Sequence, residues 1–385
     1  MKEELPFNES IALLRTLSTP NGIRASRSTV ANYEAIFARD AVMAGLAGLA
    51  AGDAVVTTAF VRTVERLRDL QGAQGQIASN FKVGSDGTMQ VSFGTLAPRF
   101  DSATWFLYGV GALCRTGHID YAAFAVAVDR TVNLLDGIEY NGRHLLYVPA
   151  GGNWADEYPF DGYILYDQVL RAMALRELAT VARRPEWSAK AQHIAAAIDA
   201  RFWPEGDWKY GGPRRFPVAA TSPVRVDEHI DLAACALLAA SDLLPSRSAS
   251  ILDAMRDVFF AQGKLPPAFT PVITEQDADW PALAAYHLHG FRNRPHEYHN
   301  GGIWPVWLGF LGAALARHGR TTDLQHLHQH TASHVASLSH FDFEEYFHGE
   351  RGEALGTAGM AYTATGFVLL DVARHTTNAE LPWIR

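Results

Sequence analysis

Hydrophobic residues recur at helical spacing along the chain, and they form two kinds of segment. In the first kind an apolar stripe lies opposite a polar one: in residues 53–71, Val64 and Leu67 share one face and charged side chains occupy the other. This pattern is typical of an amphipathic surface helix. Asp53 is suited to begin this helix and Gly72 to end it. The same pattern recurs in residues 7–17, 118–136, 186–203, 246–260 and 321–340.

Segments of the second kind are apolar on every side, which is typical of helices buried within a protein. They alternate with the amphipathic segments, and the sequence lacks long runs of strand-like alternation. An inner ring of six helices inside an outer ring of six satisfies both patterns. We therefore predict an all-α fold, an (α/α)6 barrel, that forms a single domain over residues 1–385. The apolar segments are 40–51, 101–116, 164–181, 227–241, 304–318 and 358–375.

The connections between the predicted helices differ in length in a regular way. Short turns at Gly52, Gly117 and Gly319 lead from an apolar helix to the next amphipathic one, whereas the return connections are long. If the apolar helices form the inner ring, every long connection lies on the same rim, and functional residues usually concentrate on such loops. We expect a short additional helix within the fifth long connection, at residues 277–290. The long connections are 18–39, 72–100, 137–163, 204–226, 261–303 and 341–357.

Charge and cysteine content narrow the classes of function. Only 19% of the 385 residues are charged, the net charge is −8, and no run of lysine and arginine occurs. This balance argues against nucleic acid as a partner. The two cysteines exclude a disulfide framework, and no apolar run approaches the roughly 20 residues of a membrane span. The first residues lack the features of a signal peptide, so we expect a cytoplasmic protein.

The long connections are rich in aromatic residues, asparagine, histidine and carboxylates, and they contain few cations. Such side chains suit a neutral polyhydroxylated ligand, which means a sugar, whereas a phosphate ester would require more arginine and lysine. Two acidic clusters stand out, at residues 154–157 (Trp-Ala-Asp-Glu) and 343–346 (Phe-Glu-Glu-Tyr). Glycoside hydrolysis requires one carboxylic acid to protonate the leaving oxygen and a second carboxylate to activate water or attack carbon. Aromatic neighbours favour the protonated acid by desolvation.

Six motifs follow one another between about residues 22 and 370. They are YEAIFARDAV, QGQIASNFKV, GTLAPRFDSATWF, GGNWADEYPFDGYILYDQVL, YHNGGIWPVW and FEEYFHGERGEALGTAGMAYTATGF. In this order and at this spacing they resemble the neutral and alkaline invertases, glycoside hydrolase family 100, and the bacterial glycogen-debranching-like proteins related to them. The resemblance implies an (α/α)6 barrel and an inverting mechanism on sucrose.

The resemblance also implies roles for particular residues. Asp156 matches the family's general acid and Glu345 its general base, while Arg39 and Asp40 match a pair that lines the sugar site. The residues that flank the two carboxylates depart from the family pattern; they are Trp154, Glu157 and Glu344. We expect them to shape the pocket. The substrate is therefore predicted only as sucrose or another small α-glucoside. Further substrate-binding positions in the motifs are Tyr33, Phe81, Asp101, Tyr298, His299 and Trp304.

Other interpretations of the same residues remain open. Glu157 and Glu344 each compete with the adjacent carboxylate for its catalytic role, and any of the four could instead bind loop amides or an arginine. A sugar epimerase or isomerase on the same barrel would use two histidines, for which His299 and His348 are the candidates. A non-catalytic saccharide-binding protein is the third alternative.

Nothing in the sequence calls for a cofactor, because an acid and a base carboxylate suffice for the predicted chemistry. We also expect no metal site, since the histidines at 326, 328 and 330 lie on a polar helix of the outer kind, which is typical of a solvated face. The expected partner is a small saccharide. Nucleic acid and membranes are not expected to bind, and the sequence is compatible with a homo-oligomer.

Overall fold

Long helices dominate the computed structural model, which describes residues 4–30, 32–84, 86–95, 97–139, 141–209, 211–285 and 290–375. Single 3-10 turns lie at Tyr121–Ala123 and at Phe260–Gln262. The helices are α1 (Phe7–Leu17), α2 (Ala38–Ala50), α3 (Ala54–Asp69), α4 (Phe100–Arg115), α5 (Ala125–Ile138), α6 (Leu165–Val181), α7 (Pro185–Arg201), α8 (Leu232–Ala240), α9 (Pro245–Val258), α10 (Trp280–Ala285), α11 (Pro305–Arg317), α12 (Thr321–Ser337) and α13 (Ala361–His375).

Six of the described helices form a closed inner ring. Around the ring α2, α4, α6, α8, α11 and α13 each pack against the next, and α13 packs against α2. The other long helices lie outside, and most of them pack against the inner helix that precedes or follows them in the chain. All nine residues of α8 are buried, as expected for a helix that is covered on every side. The predicted (α/α)6 barrel is confirmed.

The ends of the helices follow local sequence signals. The carboxylate of Asp53 accepts hydrogen bonds from the amides of Val55 and Val56 at 3.1 and 3.0 Å, so this residue caps α3 as predicted. The short turn before α3 closes through Gly52 at a φ of +66°, in the left-handed region that glycine enters without a Cβ clash. The turn before α12 closes in the same way through Gly319, whose φ is +63°.

Two predicted segments differ from the helices observed. The segment predicted at 118–136 begins with a 3-10 turn, so α5 starts later and ends at Ile138. The apolar segment predicted at 227–241 becomes helical only at Leu232, because the residues before it pair as short strands. Within the region 277–290, the described residues form only the six-residue helix α10, which leaves the alternation of inner and outer helices intact.

Short strands occur within the long connections and at their ends. The strands are β1 (Ser18–Thr19), β2 (Gly22–Ile23), β3 (Ile36–Phe37), β4 (Asn80–Val83), β5 (Met89–Ser92), β6 (Tyr163–Ile164), β7 (Ala220–Thr221), β8 (Val226–Asp227), β9 (Ile230–Asp231), β10 (Phe269–Thr270), β11 (Tyr346–Phe347) and β12 (Ala354–Leu355). They pair in antiparallel fashion in the orders β1-β2, β3-β4-β5, β6-β7-β8, β10-β9 and β11-β12.

Backbone pairing joins each long connection to the next one around the rim. Strand β3 pairs with β4, β6 with β7, and β9 with β10, so these pairs link the first connection to the second, the third to the fourth and the fourth to the fifth. The remaining joins are Ile303 with Phe347, Ser26 with Met360, and the amide of Phe100 with the carbonyl of Gly152. The long connections therefore share one rim, as the alternation of connection lengths predicts.

Four successive inner helices carry a buried aspartate where they begin. Asp40, Asp101 and Asp167 lie in the first turns of α2, α4 and α6, and Asp231 is the residue before α8. The carboxylate of Asp231 accepts a hydrogen bond from the amide of Ala234 at 3.1 Å. These carboxylates lie on the rim side of the barrel, because the long connections lead into the inner helices.

The final inner helix packs closely against its neighbour through glycine. A Cβ on Gly366 in α13 would lie 2.1 Å from the carbonyl oxygen of Pro305 in α11, and a Cβ on Gly309 would lie 2.5 Å from the carbonyl oxygen of Gly366. Small residues here allow the two backbones to approach. Among the described residues, no helix combines the length and the apolar character that crossing a bilayer requires.

Candidate active site

A cavity of about 290 Å³ opens on the rim, where the inner helices begin. Its wall includes residues from the start of α2, α4 and α13 and from the long connections. Most of the predicted site residues converge on it, although they come from distant parts of the chain. The predicted residues that line the cavity are Tyr33, Arg39, Asp40, Trp154, Asp156, Glu157, Tyr298, His299, Trp304 and Glu345.

The loop that carries Asp156 is held from below by a buried hydrogen-bond chain. The amide of Asn153 donates to the carboxylate of Asp167 in α6 at 3.0 Å, and the Asn153 side-chain oxygen accepts from the backbone amide of Ala155 at 3.0 Å. Asp156 follows directly and lines the cavity. One of its carboxylate oxygens accepts a hydrogen bond from Arg99 at 2.8 Å. Burial raises the pKa of Asp156 above its ordinary value, and the positive charge of Arg99 opposes this change.

Both carboxylate oxygens of the neighbouring Glu157 accept hydrogen bonds, whereas only one oxygen of Asp156 does so among the described residues. Arg292 donates to both of its carboxylate oxygens, at 3.2 and 2.9 Å, and the side-chain amide of Asn293 donates to its backbone carbonyl at 2.7 Å. The bidentate ion pair leaves the carboxylate of Glu157 fixed on the wall. Of the two adjacent acids, Asp156 keeps one oxygen without a protein donor among the described residues, so it is better placed to give a proton to a ligand.

Glu345 comes from the sixth long connection, far from Asp156 in the sequence. It lies immediately before β11, and its side chain is buried. Its two oxygens accept hydrogen bonds from the hydroxyl of Tyr33 at 3.0 Å and from the amide of Thr357 at 3.4 Å. Burial raises the pKa of Glu345 to about 7, while the charge of Arg292 and the Tyr33 hydroxyl act in the opposite direction. A carboxyl group in this range exchanges its proton near neutral pH.

Three predicted site residues do not line the cavity. Glu344 turns away, and its carboxylate accepts a hydrogen bond from the backbone amide of Asp342 at 2.8 Å. Phe81 is fully buried in the core beneath the strand pair β3–β4, since alternate residues of a strand face opposite sides. Asp101 is also fully buried and lies behind Arg39, which donates to it at 3.1 Å. Asp101 therefore holds an arginine of the wall. The structure does not place these three residues on the wall, and their substrate contacts stay predictions.

Arg39 and Asp40 form one polar section of the wall. The guanidinium of Arg39 donates to Asp40 at 3.1 Å and to the buried Asp101 at the same distance, so it links two inner helices. The ring of Tyr362, at the start of α13, lies 5.8 Å from the same guanidinium. Burial raises the pKa of Asp40, and the charge of Arg39 opposes this. The predicted pair is thus brought to the cavity, with its charges largely compensated.

Aromatic rings form another section of the cavity wall. Trp304 stacks on His299, with ring centroids 5.4 Å apart, and on Tyr346, with centroids 5.6 Å apart. Trp154 stacks on Phe269 at 5.6 Å and meets His299 edge to face at 5.1 Å. These contacts fix flat, rigid faces around the cavity, which is the kind of surface on which the apolar face of a sugar packs.

The chain also resembles known proteins in sequence. Residues 269–378 match a family model described as alkaline and neutral invertase. The chain is a glycoside hydrolase. The match confirms the resemblance to the invertases over the part of the chain that carries the last two motifs. No curated protein sequence matches the chain.

Solved structures share the fold of this glycoside hydrolase at low sequence identity. A family 63 mannosylglycerate hydrolase from Thermus thermophilus has a TM-score of 0.69 at 12% identity, over 94% of this chain and 99% of that chain. A bacterial glucoamylase complexed with acarbose has a TM-score of 0.68 at 15% identity, over 98% of this chain. This chain spans only 57% of that glucoamylase. A wild-type glycosidase has a TM-score of 0.63 at 14% identity, over 96% of this chain and 95% of that chain.

Several residues of the glycosidase cavity are not predicted from the sequence. Arg99 and Tyr362 lie inside the motifs that carry the family resemblance, and their place at the start of an inner helix is the signal that could have indicated them. Arg292 lies in the fifth connection without a motif, so only the folded chain brings it to Glu157. The cavity therefore contains three arginines, Arg39 among them, although the connections are predicted to contain few cations.

The two histidines of the predicted alternative do not meet in the cavity. His299 lines it, and burial lowers its pKa well below the ordinary value, with the charges of Arg292, Arg39 and Arg99 acting in the same direction. His348 is not part of the wall: its Nδ1 accepts hydrogen bonds from the amides of Glu350 and Arg351, both at 3.1 Å. The structure therefore does not bring His299 and His348 together so that they could face one sugar carbon.

Among the described residues, one group of possible metal ligands occurs outside the cavity. Glu4, His328 and Asp371 place one ligand atom each within 4.8 Å of one another. The guanidinium of Arg374 contacts Glu4 at 3.1 Å and His328 at 3.3 Å. Because this arginine already supplies positive charge to the group, its arrangement is that of an ion-pair network on the outer surface of the barrel.

Proposed function

We propose that the protein is an inverting glycoside hydrolase that acts on a small α-linked saccharide, sucrose or another α-glucoside. The observation that carries the proposal is the pair Asp156 and Glu345, two carboxyl groups from the third and sixth connections that line one cavity in different environments. Unlike environments give two carboxyl groups unlike proton affinities, which is what separate acid and base roles require.

In this mechanism Asp156 is the general acid. Its burial favours the protonated form, and its second oxygen has no protein donor among the described residues, so it can approach the glycosidic oxygen. Proton transfer to that oxygen lets the leaving group depart as a neutral alcohol. Glu157, which Arg292 holds through both oxygens, forms part of the wall.

Glu345 is the general base. Tyr33 and Thr357 orient its carboxylate, and the raised pKa gives it the basicity to take a proton from water near neutral pH. The water attacks the anomeric carbon from the face opposite the leaving group, so the product anomer is inverted. Inversion requires about 6.5–9.5 Å between the two carboxyl groups. Gly356 leaves room for the carboxylate of Glu345, because a Cβ there would lie 2.7 Å from one of its oxygens.

The identity of the sugar rests on the invertase resemblance. The neighbours in fold carry different names, a mannosylglycerate hydrolase and a glucoamylase complexed with acarbose, so the barrel itself does not select one substrate. The aromatic faces of Trp154 and Trp304 and the polar section at Asp40 support a small sugar ligand. An α-glucoside is the substrate that the family match favours.

The proposal is tested with a panel of small α-glucosides that includes sucrose, and the anomer of the first product is followed by NMR. We expect inversion, and a loss of about 10²–10⁴-fold in kcat for Asp156→Asn and for Glu345→Gln. Glu344→Gln is the matched control and should retain turnover. Retention of configuration would contradict the mechanism, and a product of unchanged mass would indicate an epimerase. Binding of a disaccharide without turnover would indicate a saccharide-binding protein.

A further inference from the structure

The three arginines of the cavity differ in how their charges are compensated. Arg292 is paired with both oxygens of Glu157, and Arg39 is paired with Asp40 and with the buried Asp101. Arg99 has a single carboxylate partner among the described residues, which is Asp156. Its side chain is only 15% exposed, so water compensates its charge poorly.

This pairing conflicts with the acid role of Asp156. A general acid must carry a proton before it reacts, and a protonated Asp156 no longer neutralises Arg99. Arg99 would then be a largely buried cation without a carboxylate partner among the described residues, which is costly. The other carboxylates of the wall do not relieve it, because Asp40 and Glu157 are engaged by their own arginines. The reactive state therefore lacks one negative charge beside Asp156.

The position of Arg99 indicates where that charge comes from. A general acid lies next to the glycosidic oxygen, so its neighbours on the side away from the base border the leaving group. Arg99 ends the second connection, and Gly94, Thr95 and Ala97 of the same connection also line the cavity. This stretch forms a wall beside Asp156, while Glu345 reaches the cavity from the sixth connection.

We propose that the leaving group of the substrate carries a carboxylate that binds the guanidinium of Arg99. The inference rests on the proposed acid role of Asp156 and adds the chemical class of the leaving group. Among the proposed substrates it selects an α-glucoside other than sucrose, because sucrose has no carboxylate. Arg99 uses one terminal nitrogen for Asp156, so its remaining N–H groups can form the planar, two-bond contact that a carboxylate accepts. A doubly charged phosphate fits less well, because the other two arginines are already paired.

Binding of the carboxylate also prepares the acid. Once the substrate neutralises Arg99, the guanidinium stabilises the ionised form of Asp156 less strongly, and Asp156 binds its proton more tightly. The proton passes to the glycosidic oxygen as the bond to the anomeric carbon breaks, and Asp156 is left as the carboxylate. The product then leaves while Asp156 and Arg99 pair again, and the next proton comes from solvent.

The first experiment measures binding of small probes by calorimetry, so it does not depend on turnover. The probes are glycolate, the neutral ethylene glycol and methyl phosphate, each at millimolar concentrations. We expect glycolate alone to bind, and Arg99→Gln to weaken it by about tenfold or more, as loss of a hydrogen-bonded charge partner does. Arg62→Gln, on the exposed face of α3, is the matched control and should bind as the wild type does.

Each other result overturns the inference. Equal binding of glycolate and ethylene glycol, binding of neither, or unchanged binding of glycolate to Arg99→Gln would exclude a carboxylate site at Arg99. Binding of methyl phosphate in place of glycolate would assign the anion as a phosphate. The comparison of the probes on the wild-type protein remains decisive even if Arg99→Gln does not fold.

A second experiment separates this inference from the proposed function. It compares carboxymethyl and hydroxyethyl glycosides of the sugar that the substrate panel identifies. We expect kcat/KM to favour the carboxymethyl glycoside about tenfold or more in the wild type, and this preference to vanish in Arg99→Gln. Hydrolysis without a preference would refute the inference and leave the glycosidase function intact. Binding of glycolate at Arg99 without hydrolysis of any glycoside would refute the proposed function and leave the anion site intact.

Discussion

Replacing the buried Glu345 should stabilise the protein at alkaline pH, although it removes the proposed base. The folded state binds the proton of this carboxyl group more tightly than the unfolded chain does, because burial raises its pKa from the ordinary 4.5 to about 7. The contribution of this group to stability is therefore fully present below pH 4.5 and is lost as the pH rises through about 7. Glu345→Gln resembles the protonated form and lacks this loss.

The size of the effect follows from the two pKa values. Between about pH 5 and about pH 8, linkage gives a loss of roughly 2.5 kcal/mol in the free energy of unfolding of the wild type. The group is fully buried, so solvent screening reduces this figure little. With an unfolding entropy of about 2.1 cal/mol/K per residue, the loss corresponds to roughly 3 °C in Tm for 385 residues.

The assay compares thermal unfolding of the wild type and of Glu345→Gln across this pH range. The difference in Tm between the two proteins should grow in favour of the variant as the pH rises. Glu344→Gln is the matched control, since that side chain lies outside the cavity wall, and its difference from the wild type should not follow pH in this way. A constant difference for Glu345→Gln would refute the inference that burial raises the pKa of this carboxyl group.

Three further changes probe the site and the barrel. Tyr33→Phe removes a hydrogen bond to ionised Glu345, so the acidic limb of kcat/KM should move up by about one pH unit in rate profiles; an unmoved limb would show that this bond does not tune the base. Arg171→Met leaves Glu139 with one cation fewer at a fully buried ion pair, and denaturant unfolding should show a loss of about 3–5 kcal/mol. Gly366→Ala forces a Cβ against a carbonyl oxygen of α11, and calorimetry should show a loss of at least about 1–3 kcal/mol, with unchanged stability contradicting the close packing.

The sequence was sufficient to predict the barrel because the two classes of helix differ in more than one respect. Apolar residues on all sides of α8 and α11, and short glycine turns after inner helices, both mark the inner ring. The hairpin of β4 and β5 escapes prediction, since its strands are four residues long and do not alternate clearly between polar and apolar positions. Pairing between connections depends on the closed ring, which a local pattern does not describe.

The sequence indicates which residues line the cavity where a motif fixes the backbone, and it does not do so where the direction of a side chain decides. Glu344 and Glu345 are adjacent, yet only Glu345 lines the cavity, because the chain enters β11 there and alternate side chains point to opposite sides. Arg292 reaches Glu157 across 135 residues of sequence, a contact that no local pattern indicates. Asp101 lies in a motif of the site but is fully buried behind the cavity wall, so its position in the motif does not indicate whether it reaches the cavity.

The aspartates at the beginnings of the inner helices have a consequence for the electric field in the cavity. A helix bears a partial positive charge at its N-terminus, and several inner helices direct that end toward the cavity. Left alone, these dipoles would oppose the positive charge that develops on a sugar ring during glycoside hydrolysis. Asp40, Asp101, Asp167 and Asp231 place carboxyl groups at the same helix ends, where an aspartate offsets the dipole while it is ionised. Burial raises the pKa of Asp40, Asp167 and Asp231, so the negative charge that compensates the dipoles depends on pH and decreases as these groups bind protons.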